Sequence, residues 1–131
     1  MTEAEIAGLV GVYHANGSLR GEAAYALGKL FGTAHCALCD ITHFVVRRKP
    51  EWDAMVERFG VPVELLHLDE LPDDVADACR VTGTPVVLAA VEGAGLLTLL
   101  DAGALDELNG SVAAFEAALV TAAGERGLRL R

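Results

Sequence analysis

Cysteine is scarce in this chain, with three in 131 residues, and an odd, sparse set does not make the disulfide framework of a small secreted domain. A domain of this length hides roughly two thirds of its unfolded surface, so it does not need one. Aromatic residues supply only 5% of the composition, and basic side chains are outnumbered, 10 Lys and Arg against 19 Asp and Glu, for a net charge of −9. That excess repels phosphate backbones and anionic headgroups, so neither nucleic acid nor a membrane surface is an expected partner. No apolar run approaches the roughly 18 to 20 residues of a membrane span. The amino terminus, MTEAEIAGLV, opens on acids instead of the basic region of a secretory signal. The expected location is therefore the cytoplasm, where a close cysteine pair is more often catalytic or metal-binding than structural. Phosphate-binding loops, dinucleotide glycine fingerprints, paired-histidine zinc motifs and nucleophile elbows are also missing.

Hydrophobic residues, by contrast, make up 53% of the chain, ample for a packed core. No internal repeat or Pro/Gly/Ser linker divides it, so residues 1–131 read as one domain. Gly8 to His14 is short, valine-rich and followed by Asn16-Gly17, which predicts a strand ending in a turn. Ser18 can cap a helix running to Phe31, with Leu19, Ala23, Ala26, Leu27 and Leu30 at helical spacing and Gly32 beyond it. From Thr33 to Lys49 neither period holds, and only its beginning reads as a helical turn. Pro50 then suits the first position of a helix with an apolar face of Trp52, Met55, Val56 and Phe59, stopped by Gly60. Val63 to Leu68 reads as a strand, and Pro72-Asp73-Asp74 opens a helix with Val75, Ala76 and Cys79 inward. The apolar run from Thr84 to Val91 predicts a strand covered on both faces. Gly93-Ala94-Gly95 reverses it into a hairpin partner, Leu96 to Leu100. Asp101 to Gly110 is ambiguous, and Ser111 caps a last helix bearing Val112, Phe115, Leu119 and Ala122, with Gly124 as its end.

This order, with Cys36 and Cys39 in the first half and Val81-Thr82-Gly83-Thr84-Pro85 leading into an apolar strand, resembles the thioredoxin-like superfamily. The resemblance implies an α/β three-layer sandwich around a mixed central sheet of about four strands. It also implies that Pro85 follows a cis peptide bond and that the backbone of Thr84 pairs with a bound substrate. One departure stands out: the helix from Ser18 to Phe31 is an extra element inserted before the cysteine pair.

Chemistry concentrates in His35-Cys36-Ala37-Leu38-Cys39-Asp40-Ile41-Thr42-His43, which holds four of the chain's cysteines and histidines. Two thiols three positions apart can close a disulfide when the first sits at a helix amino terminus, where the dipole favours its thiolate. Cys36 is then the nucleophile and Cys39 the resolving thiol, acting on a protein or small-molecule disulfide without a cofactor. The same residues read alternatively as a ligand set for zinc or copper: Cys36, Cys39 and His43, completed by His35 or His14. On a regular helix Cys36 and His43 stand about 10 Å apart along the axis, so one ion holds both only if the segment unwinds. A third reading makes the segment a non-catalytic binding or dimerisation surface. Cys79 reads as core, His67 as a strand histidine, and Arg47-Arg48-Lys49 as either a solvated flank or a receiver of anions. The high apolar fraction of so small a chain adds the expectation of a homodimer.

Overall fold

Strand β1 (Ala4–Val12) is the axis of the fold. The computed structural model describes residues 4–14, 37–44 and 47–130. After β1 come helix α1 (Ala37–Thr42), the two-residue strands β2 (His43–Phe44) and β3 (Arg47–Arg48), and helix α2 (Pro50–Phe59). Then follow β4 (Val63–Leu66), α3 (Asp73–Thr82), β5 (Val86–Val91), β6 (Gly95–Leu100), α4 (Ala102–Asp106), α5 (Val112–Glu125) and β7 (Leu128–Arg129). The helix expected from Ser18 to Phe31 lies outside the described residues, as do His35 and Cys36. No helix among the described residues is long and apolar enough to cross a membrane.

The protein is mixed α/β, built on a mixed sheet of five strands. Four run in the order β4-β1-β5-β6, and β7 adds a fifth by pairing with the start of β1. β1 is parallel to β4, with Val12 opposite Leu66, and antiparallel to β5, with Val12 opposite Val86. β5 turns back through Gly93 and Gly95, both at positive φ, into antiparallel β6. A parallel pair needs a long crossover, and an antiparallel pair needs only a turn. That difference places residues 13–62 between β1 and β4 and a three-residue reversal between β5 and β6.

Alternation along the strands sends their side chains to two faces. Leu9, Tyr13, Val87 and Ala89 join Leu38 and Cys39 of α1, Trp52, Met55 and Phe59 of α2, and Phe115 and Leu119 of α5 in the larger cluster. Val10, Val12, Val86 and Leu88 meet Val75, Ala78 and Cys79 of α3 on the other side. Trp52 and Phe115 lock α2 to α5, ring centres 5.1 Å apart and tilted by 53°.

Several boundaries differ from the sequence expectation, each for a local reason. β1 starts at Ala4 because Ala4 and Glu5 gain β7 as a partner. It stops at Val12 because the antiparallel ladder next reaches Pro85, which has no N–H to give. β4 ends at Leu66 because the His67 amide turns to the Glu70 carboxylate, 2.7 Å away, and leaves the ladder. In α3 the inward residues are Val75, Ala78 and Cys79; Ala76 is only partly buried and does not join that cluster. Asp101 caps α4, its carboxylate accepting from the Ala104 amide at 2.9 Å, where the sequence was ambiguous. Gly124 does not end α5, which runs to Glu125 and is closed by Gly127 at φ 67°.

Candidate functional site

The ends of three strands meet where β1 stops, and the two residues after it reach in different directions. Tyr13 is buried at 3% exposure. Its hydroxyl lies 3.0 Å from Thr42 Oγ1. Thr42 is fully buried, and its own hydroxyl donates to the Cys39 carbonyl at 3.4 Å. Either hydroxyl can be the donor in the Tyr13–Thr42 pair. This short relay fastens the carboxyl-terminal half of α1 to the end of β1. A second contact lies one layer deeper, where the Leu38 side chain packs over Gly11; a β-carbon at Gly11 would stand 3.2 Å from Leu38 Cδ2. Glycine is needed there for close approach, since its backbone is not in the left-handed region.

His14, exposed, points the other way, and its Nδ1 lies 2.8 Å from Thr84 Oγ1. The Thr84–Pro85 peptide bond is cis, Pro85 is buried and Thr84 half-buried. Because Val86 sits opposite Val12, the Thr84-Pro85 segment runs alongside Tyr13 and His14. A third polar group closes this end of the sheet. The His67 ring lies 5.0 Å from the Tyr13 ring, and its Nδ1 lies 2.7 Å from Glu70 Oε1. The His67 amide, then the imidazole, hold the Glu70 carboxyl below its usual range.

Cys39 is buried at 6% exposure in the larger cluster, close under the end of β1. Cys36 lies outside the described residues, so its place is fixed only by the chain, one residue before Ala37. Cys79 is on the opposite face of the sheet, half-buried, and burial pushes its thiol above the ordinary range. The two described cysteines therefore sit apart, Cys39 on α1 in the larger cluster and Cys79 on α3 across the sheet.

For the alternative metal reading, α1 ends at Thr42 and His43 opens β2 opposite Arg48. Cys39 and His43 are thus not four residues apart on one continuing helix. Among the described residues, no group of three or more His, Cys, Asp or Glu side chains converges. Of the basic run, Arg47 and Arg48 form β3, and the Lys49 ammonium donates to the Gly110 carbonyl at 2.6 Å, joining the β2–β3 hairpin to the loop before α5.

Sequence reasoning had no place for Tyr13, Thr42 or Gly11. The available signal for the first two is general: a buried tyrosine finds a partner for its hydroxyl, and a threonine inside an apolar helix needs one too. No family model matches the chain, no curated protein is detectably similar to it, and no solved structure matches it.

Proposed function

We propose that this chain is a thioredoxin-like protein that carries out thiol–disulfide exchange through Cys36 and Cys39, with Thr84 and Pro85 forming one wall of the substrate groove. The reading rests on one arrangement. Strand order β4-β1-β5-β6 brings α1, with Cys39, and the cis Thr84–Pro85 segment to the same end of β1. Burial of Cys39 supports its role as the resolving thiol, since a shielded sulfur is kept from outside disulfides and meets only one already joined to its neighbour.

In the reductive direction the Cys36 thiolate attacks one sulfur of a substrate disulfide. A mixed disulfide forms, and the other substrate sulfur leaves as a thiolate and takes up a proton. The Cys39 thiolate then attacks the Cys36 sulfur and releases the second substrate thiol. The substrate gains two electrons and the Cys36–Cys39 pair is oxidised to a disulfide, which an external dithiol reduces again. The pair needs no metal or organic cofactor for this cycle.

Insulin reduction by dithiothreitol tests the reading directly. The intact protein should accelerate it, Cys36→Ser should abolish the acceleration, and Cys39→Ser should accumulate the mixed disulfide. Iodoacetamide should label Cys36 faster than Cys79 at neutral pH, because burial raises the Cys79 thiol. Equal, slow labelling of the two would sink the proposal.

A further inference from the structure

Building on that reading, we infer that His14 is a positioning residue for protein substrates, acting through the Thr84 hydroxyl to hold the substrate-pairing wall of the groove against the end of β1. His14 lies just past the end of β1, where the antiparallel ladder with β5 has stopped at Pro85. Its imidazole instead bridges 70 residues of sequence to Thr84 Oγ1 at 2.8 Å. Tyr13, immediately before it, is tied through Thr42 to the carbonyl of Cys39. Two successive residues therefore hold the two parts of the site: one grips the helix of the resolving cysteine, the other the residue that precedes Pro85. A single peptide unit of β1's extension, between Tyr13 and His14, therefore links α1 to the Thr84 wall.

Such a tether acts on where a substrate backbone is held, and it does not act on the sulfur chemistry. A substrate that pairs with the Thr84 backbone needs that segment fixed before it arrives. When the segment is loose, the substrate must order it on binding and affinity falls. The effect belongs in KM.

The test is insulin reduction by the full chain with His14→Ala, Thr84→Val, the double variant and His14→Asn. Loss of one hydrogen bond of this kind corresponds to about a fivefold rise in KM, with kcat and the alkylation rate of Cys36 changed less than about twofold. The double variant should be no worse than either single one, since both remove the same contact. Asn, whose amide can reach the position of Nδ1, should restore most of the loss. Hydrogen exchange of the Gly83, Thr84, Val86 and Val87 amides should quicken in His14→Ala, and that of the Gly83, Val86 and Val87 amides in Thr84→Val. Additive effects of the two substitutions on KM, a fall confined to kcat, or a changed Cys36 alkylation rate would each overturn the assignment. A wild-type chain without turnover would overturn the redox reading itself, and the assignment with it, whatever the variants do.

Discussion

Gly11 offers the sharpest test of how α1 is seated. A β-carbon added there would lie 2.9 Å from Leu65 Cδ2 and 3.2 Å from Leu38 Cδ2. Apolar carbons rest no closer than about 3.5 Å, so the two methyl groups must retreat by about 0.6 and 0.3 Å. Leu65 is half-buried and can turn outward, whereas Leu38 is fully buried and has nowhere to go. Forcing a side chain well off its rotamer costs about 0.5–1.5 kcal/mol, and two are disturbed. Against this, alanine in a strand is favoured over glycine by about 0.5–1 kcal/mol. The balance predicts that Gly11→Ala destabilises the fold by about 1 kcal/mol and lowers Tm by about 3–5 °C. Leu38→Ala alone should cost about 2–5 kcal/mol by opening a cavity. Combined, the new methyl at position 11 fills part of that cavity, so the double variant should be more stable than the sum of the singles by about 1 kcal/mol. Urea denaturation of the four proteins measures it. Singles that add within about 0.3 kcal/mol, or a Gly11→Ala chain as stable as the parent, would refute the seating of Leu38 on Gly11.

Two other outcomes follow from local structure. Gly124 lies within α5, and a β-carbon added there would meet no neighbour within 4 Å, so Gly124→Ala should raise stability by about 0.5–1 kcal/mol in the same denaturation experiment. Glu70 has its carboxyl held below the usual 4.5 by the His67 amide and imidazole; a depressed carboxylate contributes stability that is present above its unfolded pKa and lost as pH falls through its folded one. Glu70→Gln should therefore flatten the acid limb of the stability profile, as pH falls below the ordinary carboxylate range, and an unchanged slope there would remove Glu70 from the account.

Elements that carry both of their ends in the sequence were legible from it. Helix α2 starts on Pro50, stops at Gly60 in the left-handed region and buries Trp52, Met55 and Phe59, as its spacing implies. Helix α5 begins where Ser111 accepts from the Ala114 amide at 3.1 Å, and the β5–β6 reversal sits on its glycines. Elements defined by a distant partner were not legible. The first four residues of β1 are mostly exposed and carry no alternation that reveals a strand. They become one because Leu128 and Arg129 arrive alongside Ala4 and Glu5 from the other end of the chain, and Val91 of β5 lies opposite Ile6. Helix α4 is five residues long, too short for an apolar period to show, and exists by virtue of the Asp101 cap and the burial of Leu105. Gly124 misled for a related reason: glycine inside a helix costs only about 1 kcal/mol, less than the packing of Leu119, Ala122 and Ala123 returns.

The candidate site divides along the same line. Residues with distinctive chemistry, the cysteine pair and Thr84-Pro85, stood out because few side-chain types can do what they do. What joins them did not, because Tyr13, Thr42 and Gly11 are ordinary residues until three strand ends meet. Tyr13 matters through a hydroxyl 29 residues from its partner, and Gly11 through the space it leaves for Leu38. Neither property is a pattern along the chain; each is a consequence of register. A one-residue slip of β1 would send Tyr13 to the face of α3 and turn Val12 toward α1. The register that buries the core therefore also sets the relation between Cys39 and Thr84. It is why substitutions at Gly11 and His14, neither of them a cysteine, are informative about the proposed thiol site.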